Sequence, residues 1–226
     1  MTRLHRTRLL YGDESIKKLQ NATVMVVGCG AVGSFAIEAL ARTGVGNLIV
    51  VDFDNVDESN INRQLFAMTS TIGLPKVSVA TSRIHDINPD CNVTALNLYF
   101  DTTSDIEIHP DYIIDAIDTV ESKIALYQWA YRNNIPFISS MGAASKTDIS
   151  CIKIAPISRT TVCPLASRVR KLVRGLDLPD FPVVYSVQTP VPVVGHAKNL
   201  GSVITVTGAF GLYLANWVID KIVMDF

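Results

Sequence analysis

Short runs of β-branched and aliphatic residues alternate with longer stretches in which apolar positions recur three and four apart, and the alternation continues through the first two thirds of the chain. Thr23–Gly28 and Asn47–Asp52 are near-continuous apolar runs and read as fully buried strands. Gly33–Thr43 between them has helical spacing, as do Lys76–Asn88 and Ser122–Asn133. Further strands are expected over Cys91–Tyr99, Tyr112–Ile117 and Pro136–Ser140. Strands apolar on both faces and separated by helices predict an α/β fold, a doubly wound and mostly parallel sheet. After Gly142 the regularity weakens. Ile149–Pro156 reads as an antiparallel strand, Leu165–Arg174 as a short helix, Pro179–Lys198 as an irregular, proline-rich excursion, and Gly201–Lys221 as a closing helix. One domain over 1–226 is expected, with a core over about 1–145 and an extension over about 146–226.

Composition narrows the class. Of 226 residues, 48% are hydrophobic and only 18% charged, which excludes a disordered chain and points to extensive burial. Val203–Val218, apolar apart from Thr205, Thr207 and Asn216, is slightly short of the ~20 residues of a membrane span. It is expected to be a buried or dimer-interface helix, with no stable membrane insertion. The basic N-terminus lacks the apolar stretch of a secretory signal, so a cytoplasmic protein is expected. Cys29, Cys91, Cys151 and Cys163 form no Cys-x-x-Cys pair, which argues against structural zinc. The net charge of −1 conceals a split: residues 1–20 and 149–176 hold 11 of the 20 basic residues beside two acids.

Gly28-Cys29-Gly30-Ala31-Val32-Gly33 is a Gly-x-Gly-x-x-Gly between a predicted strand and a predicted helix, where a pyrophosphate can approach backbone N–H groups. Asp52 ends the next strand, placed to take ribose hydroxyls. Together these predict a Rossmann-like nucleotide site that suits NAD as readily as ATP. The residues that follow discriminate: Asp52-Phe53-Asp54, then Asn60, Arg63 and, in Gly73-Leu74-Pro75-Lys76, a lysine. Two cations and an amide suit a triphosphate, whereas a dehydrogenase has no use for them. This constellation resembles the adenylating domain of the ThiF/MoeB and ubiquitin-activating-enzyme superfamily.

The resemblance implies a nucleotide site of Gly28, Gly30, Ala31, Gly33, Asp52, Asp54, Asn60, Arg63, Lys76, Asp118 and Thr119, binding ATP. Asp52 would take the ribose; Asn60, Arg63 and Lys76 the phosphates. Asp118 would hold magnesium, beside Thr119 where the superfamily usually has Asn; a monovalent cation is also compatible. Asp115 competes with Asp118 for that role. Arg6, with Arg3 and Arg8 as alternative registers, would cross to the ATP of the partner subunit in a homodimer.

Ala41–Gly46, Ile87–Cys91, Asp115–Thr119, Val162–Lys171 and Val184–Ser186 together resemble the tRNA threonylcarbamoyladenosine dehydratase branch. That resemblance implies adenylation of the threonylcarbamoyl carboxylate on a tRNA, followed by ring closure with loss of AMP. No enzyme nucleophile is required, although Cys163, preceding a basic helix, is a candidate thiol. Arg168, Arg170, Lys171 and Arg174 are expected to project from that helix as a tRNA surface, with Leu165, Val169, Leu172 and Val173 facing the core. The alternative readings are an adenylating enzyme for a ubiquitin-like or peptide carboxylate, and an NAD(P)-binding oxidoreductase or nucleotide-binding module.

Overall fold

The computed structural model describes residues 2–104, 106–192 and 200–224. Seven strands form one sheet: β1 (Thr23–Val27), β2 (Asn47–Val51), β3 (Asn92–Leu96), β4 (Tyr112–Asp115), β5 (Phe137–Ser140), β6 (Ile152–Pro156) and β7 (Pro182–Ser186). Their order is β3-β2-β1-β4-β5-β7-β6, parallel throughout except for the antiparallel β6–β7 pair. The expected antiparallel strand is therefore present. The expected irregular excursion contains β7, whose Pro182 occupies the first strand position, where a missing N–H is tolerated.

Because side chains alternate across a strand, each strand supplies both faces of the sheet. Val24, Val26, Leu48, Val50, Ile114, Ile138 and Val184 point to one face. That face is covered by α1 (His5–Asn21), α2 (Gly33–Thr43), α3 (Lys76–Ile87) and α6 (Ile204–Val223). Met25, Val27, Ile49, Val51 and Ile113 point to the other, against α4 (Val120–Arg132). Beyond them α5 (Pro164–Gly175) packs with Tyr127, Phe181 and Val183.

The closing helix α6 lies against α2 at very short range. A Cβ on Gly211 would stand 2.3 Å from the Val32 carbonyl oxygen, so small residues there allow α6 to brace the helix that follows the Gly-rich loop. Its apolar length is used in this packing, through Val206, Phe210, Leu214 and Val218. Among the described residues no helix is long and apolar enough to cross a membrane.

Candidate functional site

The strand order reverses between β1 and β4, which leaves a crevice beyond the carboxyl ends of these strands, where open α/β sheets bind ligands. A cavity of about 890 Å³ opens there. Gly28, Gly30, Ala31, Asp52, Asp54, Asn60, Arg63, Lys76, Asp118 and Thr119 all line it. Gly33 supports the loop from behind: a Cβ there would lie 1.7 Å from the Gly28 carbonyl oxygen. Gly28 itself has φ +98°, a conformation side chains disfavour, and a Cβ would strike Ala116. Gly30 differs from both. The nearest atom to a Cβ at Gly30 is Gln64 Nε2 at 3.8 Å, so the space over it belongs to the cavity and suits a phosphate approaching the backbone.

Asp52 follows β2 directly and is buried. Its Oδ2 accepts from the Cys29 N–H at 2.6 Å and its Oδ1 from the Asp54 N–H at 2.8 Å, which orients the carboxylate beside the loop. Burial pushes its pKa above the ordinary Asp value, with Lys76 and the two N–H groups pulling the other way. Burial also raises the Cys29 thiol well above its usual range, so this loop cysteine stays protonated.

The cations reach the cavity from two short loop structures. Residues 54–56 pair with 73–76 through Val56 N to Leu74 O and Lys76 N to Asp54 O, delivering Lys76 to the start of α3. Lys76 is buried and its Nζ lies 2.7 Å from Asp54 Oδ2. A lysine at the positive end of a helix with no acid in its first turn opposes the helix dipole, and concentrates positive potential on the cavity. Arg63 Nη1 donates to the Ser59 carbonyl at 2.7 Å and to Asn62 Oδ1 at 2.9 Å, which leaves the other donors of its guanidinium for a ligand. Asn60 Oδ1 accepts from the Asp57 N–H at 3.2 Å, and its amide NH2 makes one long contact, 3.5 Å, with the Ser59 hydroxyl of the same turn.

The two aspartates around β4 separate cleanly. Asp115 is fully buried beneath the crevice, paired with Lys123 Nζ at 2.7 Å and accepting from Tyr127 Oη and Ser139 Oγ. Removing one partner of such a pair leaves an uncompensated buried charge and costs about 3–5 kcal/mol. Asp118 is exposed at the cavity wall, where its Oδ1 accepts from the Thr119 hydroxyl at 3.4 Å. Among the described residues no three His, Cys, Asp or Glu side chains gather as a metal cluster.

Not every expected site residue reaches the crevice. Arg6 is exposed on α1 and does not line the cavity. On α5 the buried face is Ala166, Val169 and Val173; Leu172, expected inside, is 40% exposed. Arg170, expected to project, turns instead to Thr160, donating to its carbonyl at 2.8 Å and its hydroxyl at 2.6 Å. Arg168 pairs with Glu121 of α4 at 2.9 Å, while Lys171 and Arg174 remain exposed. The candidate thiol Cys163 is buried at the start of α5, behind Gly142 of the cavity wall. Sequence reasoning did not select Phe53 and Tyr99, whose rings meet edge to face at 4.8 Å on the cavity wall. They come from loops after different strands, and no spacing rule links them.

A parallel sheet with a Gly-rich loop at its switch point, an acid at the end of β2 and two clamped cations defines a nucleotide-binding α/β domain. The chain belongs to the ThiF family, whose model matches residues 4–225. It is 45% identical over 192 residues to the tRNA threonylcarbamoyladenosine dehydratase of Bacillus subtilis, covering 83% of this chain and 76% of the relative. The Haemophilus influenzae dehydratase is 35% identical over 235 residues, covering 94% and 90%. The crystal structure of the Escherichia coli tRNA N6-threonylcarbamoyladenosine dehydratase in complex with ATP superposes with a TM-score of 0.91 at 32% identity, covering 99% of this chain and 94% of that one.

Proposed function

We propose that this protein is an ATP-dependent adenylating enzyme that dehydrates, by ring closure, the threonylcarbamoyladenosine of a tRNA anticodon loop. The observation that carries the reading is one cavity in which the Gly28–Gly33 loop, Asp52 and the Arg63–Lys76 pair face the start of α4. The relatives named dehydratases supply the substrate class. In this reading Asp52 accepts from the ribose hydroxyls of ATP, the loop amides lie under its phosphates, and Arg63, Lys76 and the Asn60 amide neutralise and orient them. An oxygen of the threonyl carboxylate attacks the α-phosphorus, and the bond to pyrophosphate breaks. The substrate's carbamoyl group then closes on the activated carbonyl, loses a proton and expels AMP, which carries away the carboxylate oxygen. Tethering replaces an enzyme nucleophile, so the buried Cys163 is not needed.

Asp118, an exposed carboxylate with one hydroxyl beside it, fits a single-carboxylate share in magnesium whose remaining ligands are phosphate oxygens and water. Magnesium would neutralise triphosphate charge there. The tRNA backbone would follow the basic face of α5, and Arg6 would serve the partner's site in a cytoplasmic homodimer of this one domain.

Pyrophosphate exchange into ATP tests the reading. Exchange that requires tRNA bearing threonylcarbamoyladenosine is expected, and Arg63→Ala or Lys76→Ala should lower it by about 100-fold or more with the circular dichroism spectrum unchanged. Exchange driven by a small protein's C-terminus and indifferent to tRNA would replace this substrate; tight NAD binding without exchange would remove the adenylation chemistry.

A further inference from the structure

Asp115 and Lys123 are both fully buried, and neither borders the cavity. The nucleotide site makes no direct use of them. Stability is a weak reason for their presence, because apolar side chains of similar volume in place of a buried ion pair are often neutral or stabilising. What sets this pair apart is where its remaining hydrogen bonds end.

Asp115 Oδ1 accepts from the Ile117 N–H at 3.0 Å, which pins the turn leading from β4 to Asp118 and Thr119. Lys123 Nζ has three donors. Beside the Asp115 carboxylate it reaches the Ser139 hydroxyl at 3.3 Å and the Ser140 carbonyl at 2.8 Å. Ser140 ends β5, and residues 140–144 line the cavity, as residues 116–119 do. The Gly-rich loop rests on the same turn: a Cβ on Gly28 would lie 2.7 Å from the Ala116 carbonyl oxygen, and one on Gly33 3.2 Å from the Ala116 Cβ. Three segments of the crevice wall are therefore referred to one buried ion pair. Hydrocarbon side chains fill the same volume but bond neither the Ile117 N–H nor the Ser140 carbonyl. Bonds made by ionised groups away from water are strong and directional, which is what a fixed separation between two wall segments requires.

We propose that Asp115 and Lys123 are positioning residues, whose ion pair fixes the turn carrying Asp118 against the wall that begins at Ser140 and so sets the geometry in which the substrates react. The inference rests on the adenylation reading for the reaction it serves. In that reading Asp52, Arg63 and Lys76 hold ATP from the β2 side of the crevice. The pair therefore acts on the alignment of the attacking carboxylate with the α-phosphorus, and little on the binding of ATP.

Asp115→Asn combined with Lys123→Met removes both charges, keeps an acceptor for the Ile117 N–H and deletes the bond to the Ser140 carbonyl. Its Tm is expected within about 5 °C of wild type. The kcat for pyrophosphate exchange should fall about 100-fold, the effect of misplacing reacting groups by ~1 Å, with the KM for ATP within about threefold. Tyr127→Phe is the control: its hydroxyl bonds the same carboxylate but neither Ile117 nor Ser140. It should lower Tm and keep kcat within about twofold. A double variant that unfolds or retains its kcat, or a Tyr127→Phe enzyme that loses kcat in step with Tm, would overturn the proposal. Hydrogen–deuterium exchange separates this result from a failure of the adenylation reading, since it needs no substrate. In the double variant, uptake over residues 140–144 should quicken about fivefold or more while uptake over β1 and β2 stays unchanged. Unaltered uptake at 140–144, or a rise shared by β1 and β2, refutes the positioning role even where the wild type catalyses no exchange of pyrophosphate.

Discussion

Asp52 carries opposite demands on one carboxylate. Ribose binding needs it ionised, while burial favours the neutral form and raises its pKa. Stability follows the second demand: a folded-state pKa above the unfolded value means that stability is lost as pH rises from the ordinary Asp range through the raised value. Ligand affinity follows the first. Affinity for adenosine, which carries no phosphate to titrate, should therefore begin to fall, as pH drops from neutral, before an unperturbed Asp would protonate. Equilibrium dialysis across that range checks it, with Asp52→Asn expected to bind weakly and without pH dependence; a flat wild-type profile would remove Asp52 from the ribose. The motif made Asp52, Gly30, Arg63 and Lys76 legible as a group, because each is set by its distance from a strand end. It could not separate Asp115 from Asp118. That choice depended on Lys123, Tyr127 and Ser139 gathering around one of them from other elements.

At the scale of elements, helices and strands with strong apolar periodicity lie close to where the pattern puts them, while α1 and β7 were not foreseen. Only Ile16 and Leu19 of α1 are buried, and the helix is broken at Gly12 (φ 82°, ψ 171°), so it carries little periodic signal. Strand β7 is five residues starting at Pro182 in a proline-rich stretch that reads as loop, yet it lies inside the sheet between β5 and β6. Helix α5 tests the nucleic-acid surface. Its exposed cations Lys171 and Arg174 should weaken tRNA binding when both are reversed to Glu, and flatten the plot of log Kd against log salt by about two units, with ATP affinity unchanged. Filter binding at several salt concentrations measures this; an unaltered slope would place the tRNA elsewhere. Arg170→Glu belongs to a different class, since it breaks the bonds to Thr160 and is expected to lower Tm.

For the molecule as a whole, the low charged fraction meets exposed apolar residues on α1, on α6 and at the C-cap of α6. Leu9, Leu10, Leu212 and Met224 are each more than half exposed, and Tyr213 is 41% exposed. Such a surface, together with an Arg6 that does not line its own cavity, leads to a homodimer as the expected species. Sedimentation should give twice the chain mass, and Leu212→Asp should reduce it towards the monomer; a monomeric wild type would also leave Arg6 without a site to serve. What the chain by itself determined was local: strands apolar on both faces, the glycines of one turn, and cations at set distances from it, because periodicity and backbone sterics act over a few residues. Which residues share the crevice was decided only by tertiary structure. The switch between β1 and β4 brings residues 28–32, 51–64, Lys76, 116–122 and 140–144 to one end of the sheet, burying Asp115 while exposing Asp118, and tertiary packing turns Arg170 to Thr160, away from its own helix's basic face. Burial and pairing are properties of that assembly, and spacing along the chain does not encode them.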